Sequence, residues 1–244
     1  MKRTVWITVL AVVAFLAMII ARLPASWVIP SSSKTSCTSV GGTVWDGVCN
    51  GLVAQGQAIG DISWELHGSA LLTGKVIAAV MLARPGGTAR ANLEYGFDRH
   101  LIARDVKADL PLDPSLLPQL PANLHGRLRA DLDLLRVDKR AVREVRGVIE
   151  ALDLQEGPPG QSSPFGSYSI TFPGGGGNPL GRLRDLGGPL SVEGSLKLTP
   201  EPGFELRTLV AARPGAPADL EQQLRYLGSP DAQGRRPFDM TATF

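Results

Sequence analysis

Three histidines, two cysteines and a run of four glycines are the residues of this chain whose types could do chemistry. His67, His100 and His125 lie far apart, and no His-Glu-x-x-His pair sets two of them on one helix face as zinc hydrolysis requires. None of the serines stands in a Gly-x-Ser-x-Gly frame, so a nucleophile elbow is missing. The glycines 174–177 invite a phosphate-loop reading, but Pro179 and Leu180 follow where Gly-Lys-Ser/Thr would have to stand. Cys37 and Cys49 with three scattered histidines do not make a zinc site. Asp131 and Asp133, two residues apart, suit the wet face of a strand without catalysis. The expectation is a protein that is not an enzyme, with no metal and no cofactor.

Most of the chain alternates with period two. Leu124, Leu128, Ala130, Leu132 and Leu134 fall on one side of an extended segment, and His125, Arg127, Arg129, Asp131 and Asp133 on the other. Only a strand separates those sets, because successive side chains point to opposite faces. The same alternation marks 91–98, 190–198 and Met240, Ala242 and Phe244. One dry and one wet face is the pattern of an antiparallel sheet covered on one side. Helices are few. Asn178-Pro179 reads as a helix start, with Leu180, Leu183 and Leu186 as its stripe and Gly187 as its stop. Pro217 to Leu227 puts Leu220, Leu224 and Leu227 on a second stripe ended by Gly228, and Asp113-Pro114 opens a third turn. Residues 156–166 and 173–178, rich in Pro and Gly, read as loops. The fold expected is mainly β: an N-terminal transmembrane helix followed by a curled, mostly antiparallel sheet with two or three short helices.

The N-terminal segment decides the compartment. Lys2 and Arg3 precede Thr4 to Ala21, 18 residues without a charge, and Arg22 closes the run. As a helix it rises roughly 27 Å, about a hydrocarbon core, with Trp6 and Trp27 near its ends. A cleaved signal peptide is the competing reading, although Ile19 and Leu23 are not the small residues a cleavage site wants. The positive charges at Lys2 and Arg3 put the N-terminus in the cytoplasm. Residues 1–22 then form the cytoplasmic tip and anchor, 23–40 a linker, and 41–244 a β-rich domain on the far side. In that oxidising space Cys37 and Cys49 can bridge, or they can remain free thiols.

A net charge of +2 with interspersed Lys/Arg and Asp/Glu forms no basic face, so no nucleic acid is expected as a partner. Hydrophobic residues at 43% suit a folded domain with a core. Several phrases, in order, resemble the type II secretion system protein N family. They are Gly42-Thr43-Val44-Trp45-Asp46-Gly47, Ile62-Ser63-Trp64-Glu65-Leu66, Leu71-Leu72-Thr73-Gly74, Gly166-Ser167-Tyr168, Leu186-Gly187-Gly188-Pro189-Leu190, Gly194-Ser195-Leu196 and Leu227-Gly228-Ser229-Pro230-Asp231-Ala232-Gln233-Gly234-Arg235. That resemblance implies an accessory inner-membrane component of the machine that exports folded proteins from the periplasm of a Gram-negative bacterium. Its implied partners are other secretion components, a secretin or inner-membrane platform proteins, besides membrane lipid around the anchor. Trp45 and Trp64 can bury large areas in a thin β-layer, and with Leu224 and Leu227 they are candidate structural or interface residues. Two function classes stay open: a scaffold or adaptor, or a membrane-tethered β-groove that handles lipid, similar in outline to the AsmA type.

Overall fold

The computed structural model describes residues 2–27, 35–96, 98–112, 123–138, 141–157, 162–175 and 177–243. Helix α1 (Lys2–Ala21) leads into a 3-10 turn at Ala25–Trp27. The strands follow as β1 (Thr35–Ser36), β2 (Ser39–Gly42), β3 (Asp46–Ala54), β4 (Gln57–Leu66), β5 (Lys75–Arg84), β6 (Gly87–Gly96) and β7 (His100–Leu112). Then come β8 (Leu124–Asp138), β9 (Ala141–Glu156), β10 (Ser163–Pro173), β11 (Leu180–Gly187), β12 (Leu190–Leu198), β13 (Gly203–Ala212) and β14 (Arg236–Thr243). A 3-10 turn at Gly68–Thr73 joins β4 to β5. Helix α2 (Ala218–Leu224) and a 3-10 turn at Arg225–Leu227 lie between β13 and β14.

All fourteen strands form one sheet in which each pairs with its neighbour in sequence, save that β1 and β2 both border β3. Every pairing is antiparallel, and the sheet does not close: β1 and β14 stand at opposite ends. The expected mainly β, antiparallel architecture is therefore present. The segments 23–40 and 156–166 contribute β1, β2 and the start of β10 to the sheet. The proposed turn at Asp113-Pro114 lies outside the described residues.

Cross-strand partners share a face, so the register defines two surfaces. One is a continuous apolar row: Cys49 opposite Ile62, Ile62 opposite Leu82, then Leu110 opposite Leu128, Ala130 opposite Ile149, Ile149 opposite Ile170, and Ile170 opposite Leu183. Its best-buried parts are two clusters, Leu132 with Val145 and Phe172, and Leu183 with Leu190, Val192 and Val210. The other surface carries charges that pair across strands: Arg127 with Asp109 at 2.6 Å, Lys107 with Asp131 at 3.1 Å, Lys75 with Glu94 at 2.6 Å. These pairs are about half exposed, so each adds at most about 1 kcal/mol. Their larger effect is on register, since a one-residue slip would put charges in the core.

One expected helix is a strand. Leu180 to Gly187 forms β11 between β10 and β12. Leu183 is buried at 8% exposure, whereas Leu180 and Leu186 point out at 56% and 53%. The three leucines therefore do not share a stripe. Gly181, Leu183 and Asp185 form one face, and a Cβ on Gly181 would lie 2.7 Å from Phe172 Cε1. Glycine there lets the Phe172 ring cross above β11 to pack on Leu196 and Leu198. Pairing with two neighbouring strands outweighs the local helix-start signal.

Helix α1 forms, and its described side chains, Trp6 to Ala21, are exposed all round. The expected membrane span is corrected to this extent: among the described residues no helix is long and apolar enough to cross a membrane.

Candidate functional site

The site with the strongest chemical character is an apolar cavity of about 430 Å³ between α2 and the apolar face of β10–β14. Helix α2 forms where Pro217 ends the loop from β13, and Asp219 and Glu221 sit in its first turn, where the helix dipole favours them. Leu220 is its buried anchor, at 3% exposure. Leu224 and Leu227 face the same way and line the cavity, as their spacing predicts. Gly228, with φ of +94°, ends the second turn in a conformation that favours glycine. Ser163 Oγ donates to Asp219 Oδ2 at 3.4 Å, and the Arg236 guanidinium donates to the Gly228 carbonyl, so both ends of the helical segment are tied to the sheet.

The floor is the cluster of Leu183, Leu190, Val192 and Val210, extended by Leu206 and Phe238. Three polar side chains line the cavity among the described residues: Gln223 from α2, and Tyr168 and Thr208, which are both spent on backbone. Tyr168 Oη donates to the Phe165 carbonyl at 2.6 Å, and Thr208 Oγ1 to the Phe238 carbonyl at 2.8 Å. Burial pushes the Tyr168 phenol up to about 12, with nearby Asp185 adding to the shift and Arg213 opposing it. Asp185 is itself held by the Arg213 guanidinium and by the Val192 amide at 3.1 Å. A water needs two to four polar partners to stay in such a place, and the lining is mostly apolar, so the arrangement suits an apolar guest. Tyr168 stands in the Gly166-Ser167-Tyr168 phrase of the family resemblance, whereas Thr208 and Phe238 belong to no motif. The alternation at 190–198 carries the signal for Leu190 and Val192 alone.

The tryptophans lie elsewhere. Trp45 Nε1 donates to the Ile20 carbonyl at 2.8 Å, one of the last carbonyls of α1, which have no partner inside the helix. The Val44 amide donates to the Leu23 carbonyl at 2.9 Å, and Pro24 bridges Thr43. Trp64 Nε1 donates to the Val44 carbonyl at 3.0 Å. The two indoles thus fasten the exit of α1 to the first hairpins of the sheet. In the structure Cys37 and Cys49 are joined, with Cα atoms 5.7 Å apart, which ties the segment before β2 to β3.

The histidines stay apart. His67 precedes the turn at Gly68–Thr73, and His125 sits on β8. His100 opens β7 with Nε2 3.3 Å from Asp98 Oδ2 and Nδ1 3.6 Å from Asp138 Oδ1. Among the described residues no three His, Cys, Asp or Glu side chains gather as metal ligands.

A model of the family described as type II secretion system, protein N, matches residues 34–239. The "Type II secretion system protein N" of Aeromonas hydrophila is 25% identical over 249 residues, covering 97% of this chain and 97% of that protein. The protein of the same name from Vibrio cholerae serotype O1 is 25% identical over 257 residues, covering 98% of each. No solved structure matches. The match runs from just before β1 into β14, across the whole sheet and the helix that covers its cavity, and this chain belongs to the type II secretion system protein N family.

Proposed function

We propose that the chain serves type II secretion as a scaffold or adaptor without catalysis. Helix α1 holds it at the inner membrane through its exposed apolar side chains, and the sheet, which begins at Thr35, stands in the periplasm. There it docks other secretion components, a secretin or inner-membrane platform proteins, and so assists the export of folded periplasmic proteins. The family match over residues 34–239 carries the reading. Chemistry supports it: the histidines are scattered, and Tyr168 and Thr208 at the cavity are bonded to backbone. The long edge of β14, paired only with β13 among the described residues, offers backbone for strand addition by a partner.

The test is Leu224→Asp with Leu227→Asp. Two carboxylates cannot be desolvated cheaply against the floor of the cavity, so the helical segment lifts and exposes β10–β14. Co-purification of the membrane-bound chain with secretion components should fall, with lower export. Unchanged co-purification and export would reject the adaptor reading. The cavity favours a second reading, a groove that holds lipid, as in the AsmA-type proteins. Phospholipid retained by the purified chain, and lost in the same double variant with secretion intact, would favour that reading over the first.

A further inference from the structure

The end of the sheet where α1 leaves carries apolar side chains that no packing explains. In the turn Gly68–Thr73, Leu72 is 91% exposed and Leu71 44%, and Trp27 in the turn after α1 is 73% exposed. Single exposed leucines are ordinary; three large apolar groups around one helix exit are not. Trp45 fixes their relation to α1. Its indole nitrogen holds the Ile20 carbonyl, and its ring lies against Gly68, where an added Cβ would be 3.1 Å from Trp45 Cζ3. One side chain therefore touches both the last turn of α1 and the first residue of the Gly68–Thr73 turn. Residues 68–74 contain no charge, and Lys75 just beyond them is committed to Glu94 at 2.6 Å. Gly74, with φ of +75°, closes the turn and returns the chain to β5.

We propose that the Gly68–Thr73 turn is a second membrane contact, with Leu71 and Leu72 set into the boundary between lipid headgroups and acyl chains beside the end of α1. This rests on the reading of α1 as an anchor and adds an orientation to it. A single helix leaves a domain free to swivel. A second apolar foot, braced through Trp45, holds the turns next to α1 against the lipid and directs the opposite ends of the strands, with α2 and its cavity, away from it. Trp27, an amphipathic ring at the same exit, suits the headgroup region.

The test uses the full chain in vesicles of phosphatidylethanolamine and phosphatidylglycerol, some bearing a nitroxide on the acyl chain. An environment-sensitive fluorophore is attached at Leu72→Cys, at Phe15→Cys within α1, or at Leu186→Cys on the charged face of β11. All three positions are exposed, so the fold tolerates the label. Emission from position 72 should shift to the blue and lose most of its intensity to the nitroxide lipid, as at position 15, while position 186 keeps the spectrum of water. A water-like, unquenched label at 72 beside a quenched label at 15 would overturn the second contact and leave the anchor standing. A blue-shifted but unquenched label at 72 would mean that protein covers the turn, and would overturn it equally. No quenching at 15 would remove the anchor and the foot together.

Discussion

Gly47 shows how little room the first hairpins leave. A Cβ there would lie 2.4 Å from Trp64 Cζ2 and 2.8 Å from the Thr43 carbonyl oxygen, and the backbone atom cannot move aside. Gly47→Ala should destabilise the domain by about 2 kcal/mol in urea unfolding, as overpacking does. Asp231 organises the Ser229 to Arg235 phrase. Its Oδ1 accepts from the Gln233 amide at 2.9 Å and the Arg235 amide at 2.8 Å, and Oδ2 from Arg235 Nε at 2.9 Å. Desolvation opposes the charge there, but the Arg235 and Gln233 hydrogen bonds outweigh it and hold the carboxyl below its ordinary value of 3.8. A depressed carboxyl stabilises the turn above that value and loses its contribution as pH falls through the folded one. The Arg235 amide resonance should therefore move at a pH below the ordinary carboxyl value, and should not titrate in Asp231→Asn. Cysteine state is a third test at this scale. If Cys37 and Cys49 are bridged in the cell, maleimide should label the denatured protein only after reduction, and the loop model gives the bridge about 3 kcal/mol. Residue types alone flagged Trp45, Trp64 and these cysteines. The partners of the indoles were beyond sequence, because Ile20 and Val44 accept through backbone carbonyls that every residue carries.

Among the elements, β11 tests which force decides secondary structure. Leu180, Leu183 and Leu186 fit a helical stripe at three-residue spacing, yet the pairing with β10 and β12 makes only Leu183 a core residue. Leu183→Ala should cost roughly 2–4 kcal/mol and Leu186→Ala under about 0.5, a contrast that urea titration resolves and that a helix would not give. The misreading has a physical cause: Asn-Pro and Gly bound strands as readily as helices, and an eight-residue segment offers too few repeats to separate period 2 from 3.6. The strand read at 124–134, which runs on to Asp138, and the helix after Pro217 were legible because one alternates over many residues and the other carries the Leu220, Leu224 and Leu227 stripe. The cavity was legible only from one side. Leu224 and Leu227 identified its roof, but its floor comes from five strands whose convergence follows from strand order, which no local pattern records.

For the whole molecule, the chain exposes 15444 Å², against roughly 10,500 Å² for a compact monomer of its mass. The excess fits an open sheet whose apolar face is only partly covered and a helix whose apolar side chains meet no protein. Such a surface leaves apolar area open to a partner. We propose that this surface works in protein export. Deleting the gene should leave folded cargo in the periplasm, with the lipid composition of the outer membrane unchanged and export restored by the intact chain. Normal release of cargo from the deletion strain, together with an altered outer-membrane lipid composition, would contradict it.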